Sequence, residues 1–157
     1  MKIIKAFFKQ FSKKEFNNIE KTSILFVDDC EDIILALNLL LKKQEYKIHT
    51  AINGKEALSI LQENHIDIIS VDFIMPGLDG IGLIEIIEKK IKDKKFILMI
   101  TAYGEISMKK RVKSIIKNHT FTGFIIKPWR NENLVDIFNK YDKISKRRKI
   151  FKKYLNS

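Results

Sequence analysis

Acidic side chains follow two apolar runs of the sequence at the point where each run stops. Asp28 and Asp29 come directly after residues 24–27, and Asp72 comes directly after residues 66–71. Three carboxylates held within a few ångströms repel one another, so we expect a cation among them. Mg²⁺ is favoured because it prefers hard oxygen ligands, accepts one or two carboxylates and keeps room for water and phosphate oxygens.

A hydroxyl and an amine end two further runs of the same kind. Thr101 follows residues 96–100, and Lys127 follows residues 124–126. Carboxylates can form aspartyl-phosphate intermediates, and Asp72 is the candidate nucleophile. A magnesium ion would neutralise the charge that develops, while the lysine and the hydroxyl each hold one phosphoryl oxygen. The combination predicts phosphoryl transfer onto an aspartate.

Each of these residues also has a structural explanation when it is taken alone. Aspartate is a favoured N-cap of helices, which would account for the three carboxylates. A lone lysine is usually a solvated charge, and a threonine at the end of a strand often caps a turn. The occurrence of all of them in one repeated pattern favours a site: Asp28, Asp29, Asp72, Thr101 and Lys127.

The spacing of apolar residues predicts five strands that alternate with five helices. Strands are expected at residues 23–27, 46–50, 66–71, 95–100 and 121–126. Helical stripes occupy residues 32–41, 53–61, 80–87 and 105–117, and a last stripe starts near residue 130. This alternation predicts an α/β protein with a doubly wound parallel sheet. Such five-stranded sheets commonly have the order 2-1-3-4-5, with a ligand crevice at the carboxyl ends of strands one and three.

Length and composition narrow the class of protein. A chain of 157 residues fits one domain with a substantial core. The single cysteine, Cys30, excludes an internal disulfide and a Cys/His zinc site, which suits a reducing compartment. Apolar runs stay far below the roughly twenty residues that cross a membrane. We therefore expect a cytoplasmic protein.

The formal net charge of +11 is concentrated towards the two ends of the chain. Residues 1–21 carry six Lys against two Glu, and residues 130–157 carry nine Lys or Arg against three acidic residues. Residues 22–129 carry fifteen Lys or Arg against fourteen acidic residues. The middle is thus nearly neutral, which does not favour nucleic acid as its partner.

Both ends continue a helical pattern. The apolar residues of positions 3–11 share one helical face, which could lie on an anionic membrane or pack on the rest of the protein or a partner. Packing is favoured because the stripe is short and Glu15 and Glu20 dilute its charge. The apolar spacing of positions 137–155 extends the last helix. That extension could form a short coiled coil, bind an acidic protein, contact phosphate backbones or be a frayed helix end.

Four segments, in order and in spacing, resemble the receiver domain of two-component response regulators. They are ILFVDD at 24–29, VDFIMPGLDG at 71–80, MITA at 99–102 and GFIIKP at 123–128. The resemblance covers residues 22–142, leaving a basic N-terminal extension at 1–21 and a basic C-terminal extension at 143–157. It implies a flavodoxin-like fold.

The resemblance also implies roles for individual residues. Asp72 would accept a phosphoryl group from a sensor histidine kinase or a phosphotransfer protein. Asp28, Asp29 and Asp72 would hold Mg²⁺ together with the backbone carbonyl of Ile74. Lys127 would contact the phosphoryl group.

By the same resemblance, Thr101 also contacts the phosphoryl group and forms the switch pair with the aromatic residue Phe124. No attached output module is recognisable, so we expect a stand-alone regulator rather than an enzyme. It would be a monomer or weak dimer that signals to a protein target through its fourth helix, fifth strand and fifth helix. The alternative is a basic nucleic-acid- or membrane-binding protein that uses the fold as a scaffold, and the retention of Asp72, Thr101 and Lys127 favours the first interpretation.

Overall fold

Five parallel β-strands alternate with five α-helices in the part of the chain that the computed structural model describes, residues 11, 15, 19–102 and 106–155. The strands are β1 Ser23–Val27, β2 Lys47–Ala51, β3 Ile68–Val71, β4 Phe96–Thr101 and β5 Thr120–Ile126. The helices are α1 Glu31–Leu41, α2 Gly54–Glu63, α3 Gly80–Lys90, α4 Ile106–Ile115 and α5 Asn131–Leu155. The sheet order is β2-β1-β3-β4-β5, which confirms the predicted fold class.

Alternate residues of the central strands point into two hydrophobic layers, as the strand period requires. On β1, Ile24 and Phe26 enter the layer that contains buried residues of α1 and α5. Leu25 and Val27 enter the opposite layer, with buried residues of α2, α3 and α4. Both faces of the sheet are therefore covered by helices, and its strands read as continuous apolar runs.

One strand is shorter than predicted. Strand β3 begins at residue 68 and not at residue 66, although Ile66 is fully buried. The reason is the Asp67 carboxylate, whose Oδ2 accepts a hydrogen bond from the Ser23 backbone N–H at 2.9 Å. The other strands lie within one residue of the predicted bounds. Helix α4 ends two residues earlier than predicted.

Strand β5 contains one extra residue relative to β4. Phe121 and Gly123 pair with consecutive residues of β4, so Thr122 between them has no opposite partner. The Thr122 hydroxyl donates to the Ile97 carbonyl at 3.0 Å, and Gly123 adopts a φ of 144°. This bulge brings Phe121 and Phe124, three positions apart, onto the same face of the sheet.

Helix α5 is continuous for 25 residues, and its C-terminal half lies against the sheet edge from which the strands begin. Asp67 accepts hydrogen bonds from Ser145 Oγ at 2.6 Å and from Lys149 Nζ at 2.8 Å. Ser145 and Ile150 are buried. The alternative of a frayed, solvated helix end is therefore wrong for this part of α5.

Two more side-chain contacts fasten the same face of α5. Asn139 Oδ1 accepts from the Tyr46 hydroxyl at 3.0 Å, and Asp142 Oδ1 accepts from Thr22 Oγ1 at 2.5 Å. The helix is thus held along its length to residues that precede β1, β2 and β3. Within the described ranges, no helix has the length and apolar character to cross a membrane.

Candidate functional site

The carboxyl ends of β1 and β3 lie side by side and continue their hydrogen-bond ladder by one residue. The backbone N–H of Asp28 donates to the Ala51 carbonyl at 3.1 Å, and that of Asp72 donates to the Val27 carbonyl at 2.8 Å. Both aspartates are therefore held by main-chain bonds to neighbouring strands. Their side chains leave the sheet at the edge where parallel sheets bind ligands.

Three carboxylates meet at this edge. One oxygen each from Asp28, Asp29 and Asp72 lies within 4.8 Å of the other two. Asp28 is 3% exposed and Asp72 is 8% exposed, whereas Asp29 is open to solvent. The convergence of the three side chains agrees with the sequence expectation.

Lys127 reaches into the cluster from the residue after β5. Its Nζ lies 2.6 Å from Asp28 Oδ2 and 3.3 Å from Asp72 Oδ1. The Lys127 backbone N–H donates to the Thr101 carbonyl at 2.8 Å, which fixes the start of this side chain against the end of β4. The peptide bond between Lys127 and Pro128 is cis.

The charges of the cluster change the pKa of two of its members. Burial raises the pKa of Asp72 above its usual value; the Lys127 cation opposes this effect, and the nearby Asp28 adds to it. Burial alone would lower the pKa of Lys127, but the hydrogen bond to Asp28 and the charges of both aspartates outweigh it, so that pKa is raised. The lysine is therefore held firmly in its charged form.

These residues fit a hard divalent cation. Among the described residues, three carboxylates share the single ammonium group of Lys127, which leaves the cluster net negative. Both contacts described for the Asp72 carboxylate fall on Oδ1, from the Phe73 backbone N–H at 2.9 Å and from Lys127 Nζ at 3.3 Å. Carboxylate oxygens at this spacing match the ligand chemistry of Mg²⁺.

Neither Asp28 nor Asp29 is the N-cap of α1, the helix that follows them. Cys30 occupies the N-cap position of α1 without a side-chain capping bond. Asp28 Oδ1 instead accepts from the Cys30 backbone N–H at 3.0 Å. Helix capping therefore does not explain why Asp28 and Asp29 stand here, and the interpretation of Asp29 as the cap of α1 is wrong.

The loop after Asp72 is packed tightly against the start of α3. Gly80 N donates to the Phe73 carbonyl at 3.0 Å, and a Cβ at Gly80 would lie 2.2 Å from the Asp72 carbonyl oxygen. Only glycine permits this approach of the helix to the backbone of the site. Ile74, whose backbone carbonyl is an expected ligand, lies within this loop, and its side chain is 54% exposed.

Thr101 and Phe124 lie on neighbouring strands. Thr101 is buried, with 1% exposure, and pairs with Ile126, while Phe124 pairs with Met99. The Phe124 ring is partly buried and meets the Phe121 ring edge-on, with centroids 5.1 Å apart. Lys109 Nζ of α4 lies 5.9 Å from the centre of the Phe124 ring. The aromatic ring therefore lies between the sheet and α4.

The sequence patterns did not predict the ion pair between Lys127 and Asp28 or the contact between Phe121 and Phe124. The first joins residues 99 positions apart, and no local spacing encodes it. The second depends on the β5 bulge, for which Gly123 is the single available signal.

Comparison with known proteins agrees with this fold. The sequence profile of the response regulator receiver domain matches residues 24–139. Sporulation initiation phosphotransferase F of Bacillus subtilis is 33% identical over 119 residues, which is 75% of this chain and 91% of that protein. Transcriptional regulatory protein ResD of the same bacterium is 40% identical over 87 residues, 54% of this chain, but the match covers only 35% of its length.

Solved structures show the same architecture. Chemotaxis protein CheY4 of Vibrio cholerae superposes with a TM-score of 0.68 at 27% identity, covering 78% of this chain and 99% of that one. A receiver domain from Pseudomonas fluorescens reaches a TM-score of 0.71 at 21% identity, over 81% of this chain and 98% of that one, a likeness of fold alone. The fold and the sequence match thus define a class of two-component signalling domains. This chain belongs to the response regulator receiver domain family.

Proposed function

We propose that this receiver accepts a phosphoryl group on Asp72 from a phosphohistidine and passes the signal to a protein target. The observation that carries the proposal is the meeting of Asp28, Asp29 and Asp72 within 4.8 Å, with Lys127 Nζ 3.3 Å from Asp72. A cluster with excess negative charge, one fixed lysine and a buried candidate nucleophile, Asp72, is suited to phosphoryl transfer. The domain's role is signalling, with catalysis limited to its own phosphorylation and dephosphorylation.

Each residue has a distinct task in this proposal. The Asp72 carboxylate attacks the phosphorus atom, and the bond from phosphorus to the donor nitrogen breaks. Lys127 Nζ keeps its contact with Asp28 and binds one phosphoryl oxygen, while the Thr101 hydroxyl binds another. The three aspartates and the Ile74 carbonyl would hold Mg²⁺, which neutralises charge on the transferring group.

Exposed apolar side chains near the site favour a protein as the phosphoryl donor. Ile52, Ile74 and Ile126 follow or end strands at the same edge and are 45%, 54% and 43% exposed. Leu35 and Leu39, one turn apart on α1, are 56% and 60% exposed. Large apolar groups around an acidic centre suit docking of a kinase or phosphotransfer protein.

Signal output would follow from the packing of Phe124. When the phosphoryl group recruits the Thr101 hydroxyl, the chain after β4 would move towards the site and change the space beside the ring. The surface affected is α4, β5 and α5, where α4 carries Lys109, Lys110, Arg111 and Lys113 without an acidic residue. An acidic or amphipathic protein segment is the partner that such a surface fits best.

The alternative, a basic nucleic-acid- or membrane-binding protein that uses the fold only as a scaffold, has less support because the three carboxylates and Lys127 come together in one site. We propose a cytoplasmic monomer or weak dimer, in keeping with the exposed Cys30 thiol, which a reducing compartment would preserve.

The proposal is tested by incubating the protein with a phosphorylated phosphotransfer protein, or with phosphoramidate, and measuring intact mass. Wild type should gain one acid-stable, base-labile phosphoryl group, and Asp72→Asn should gain none. Asp93→Asn, an exposed aspartate at the opposite edge of the sheet, serves as the matched control and should behave as wild type. Equal phosphorylation of Asp72→Asn and wild type would contradict the assignment.

A further inference from the structure

The whole net charge of the protein belongs to its two ends. Residues 1–21 carry six Lys against two Glu, and residues 140–157 carry eight Lys or Arg against one Asp. Residues 22–139 carry sixteen basic and sixteen acidic residues, so that the remainder is neutral. The excess of +11 is therefore a property of two short segments.

The fold brings the described parts of these segments to one place. Lys149 Nζ binds Asp67, which immediately precedes β3, and it lies 3.4 Å and 3.3 Å from the carbonyls of Glu20 and Lys21, before β1. The ring of Phe11 lies 5.1 Å from that of Tyr154. We call residues 140–155, together with residues 19–22, the basic pole. It lies at the sheet edge opposite the three aspartates.

Apolar side chains are exposed within the basic pole. Phe151 is 46% exposed, Tyr154 is 49% exposed and Leu155 is 67% exposed. Lys152 and Lys153 stand between them in the sequence and are also exposed. An aromatic and aliphatic group surrounded by lysines is the arrangement by which peripheral proteins enter the interface of a bilayer.

We propose that the basic pole binds the surface of an anionic lipid bilayer. Lysines near such a surface are attracted by its negative potential, and Leu155, which is 67% exposed, would enter the boundary between headgroups and acyl chains. The phosphates of a nucleic acid would attract the lysines, but they provide no apolar environment in which an aliphatic side chain such as Leu155 could be buried. The basic pole is remote from Asp72, and its binding to lipid does not depend on the phosphorylation of that residue.

Electrostatics also determines the orientation of the bound protein. The acidic cluster at the opposite edge is repelled by an anionic surface, while the basic pole is attracted to it. Helix α5 has 25 residues, so its two ends are about 36 Å apart. Trp129 precedes the first turn of α5, and Leu155 ends its last turn. The bound protein therefore presents its aspartates and Trp129 away from the lipid.

Vesicle co-sedimentation with the full chain tests the binding. Vesicles of phosphatidylcholine with 30 mol% phosphatidylglycerol should bind the protein, and pure phosphatidylcholine vesicles should not. Each lysine near an anionic surface strengthens binding roughly fivefold, so the double change Lys152→Gln and Lys153→Gln should weaken it about 25-fold. The control is Lys110→Gln with Lys113→Gln on α4, which removes the same charge from exposed positions elsewhere and should leave binding within about twofold of wild type.

Fluorescence quenching tests the orientation. Brominated lipid in the anionic vesicles should quench a tryptophan introduced by Leu155→Trp in a Trp129→Phe background, and it should leave Trp129 of the wild type unquenched. Quenching of Trp129 instead, or equal loss of binding in the α4 control, would overturn the proposal. The proposal would also be overturned if a 20-base-pair DNA duplex bound the protein at 150 mM salt more tightly than the anionic vesicles do, since nucleic acid would then be the better ligand.

Discussion

The Lys127 ammonium lies closer to Asp28 than to Asp72, at 2.6 Å from Asp28 Oδ2 against 3.3 Å from Asp72 Oδ1. The lysine is thus held more closely by a neighbouring strand end than by the proposed phosphoacceptor. Asp28 can therefore keep the Lys127 ammonium in place while Asp72 changes from a carboxylate to an acyl phosphate.

Replacing Lys127 by alanine should slow phosphorylation from phosphoramidate by about a hundredfold, because a charged donor aimed at the phosphoryl group is lost. Burial and Asp28 would then raise the pKa of Asp72 further, opposed by the hydrogen bond from the Phe73 N–H but no longer by a cation, which disfavours the ionised nucleophile. The affinity for Mg²⁺ should stay equal or increase, because a competing cation has gone. Mass spectrometry and a Mg²⁺ titration of the same variant measure the two effects. Parallel loss of both would indicate collapse of the site rather than loss of a donor.

Replacing Asp29 by asparagine should weaken Mg²⁺ binding at least about tenfold, because one of three carboxylates is removed. Asp29 is exposed, so the midpoint of thermal unfolding should hardly change. A Mg²⁺ titration followed by the fluorescence of Trp129, two residues after Lys127, reports the affinity. Asp32→Asn on α1 removes the same charge from an exposed position outside the cluster and should retain wild-type affinity. Equal affinities of Asp29→Asn and Asp32→Asn for Mg²⁺ would show that Asp29 is not a ligand of the ion.

Replacing Thr101 by alanine should separate phosphorylation from output. The Asp72 carboxylate, Lys127 and the neighbouring carboxylates are unchanged in this variant, so phosphate should still be incorporated. The change in the chemical shifts of Phe124 and α4 that accompanies phosphorylation in wild type should shrink, because the hydroxyl that couples the two is gone. NMR spectra before and after phosphoramidate addition check this, and an undiminished response would show that Thr101 is not the link.

Lys149→Ala should destabilise the fold by about 3 kcal/mol at pH 7, because it leaves the buried Asp67 carboxylate without its ammonium partner. Burial alone would raise the pKa of Asp67, but hydrogen bonds from Lys149, Ser145 and the Ser23 N–H outweigh it, and the pKa is lowered. A lowered folded pKa contributes stability that is present above the unfolded pKa of about 3.9 and is lost as the pH falls through the folded value. The difference in the free energy of unfolding between wild type and Lys149→Ala should therefore become smaller below about pH 4.

Urea unfolding at several pH values measures this difference. Lys153→Ala removes a lysine from an exposed position four residues further along the same helix and should change stability by less than about 0.5 kcal/mol. A difference that persists unchanged at pH 3 would mean that Lys149 stabilises through packing of its aliphatic stem rather than through Asp67.

The order of strands and the meeting of the three aspartates were predictable, because parallel strands deliver their carboxyl ends to one edge. The role of Asp67 was not. It follows Ile66 in an apolar run and looks like part of a strand, and its partners Ser145 and Lys149 lie 78 and 82 residues away. Such a contact depends on how α5 lies across the sheet, which helical periodicity alone does not specify.

The bulge in β5 makes the strand tolerant of losing one residue before Phe124 but not after it. Phe121, Gly123 and Phe124 already lie opposite three consecutive residues of β4, so deleting Thr122 would restore a regular ladder and leave Phe124 in the layer of α4. Deleting Ile125 would instead move the following residues back by one strand position and turn the Lys127 side chain towards the other face of the sheet, away from Asp28. A loss of one codon at Thr122 would therefore leave the site connected to its output surface, whereas the same loss three codons later would remove the lysine from the site.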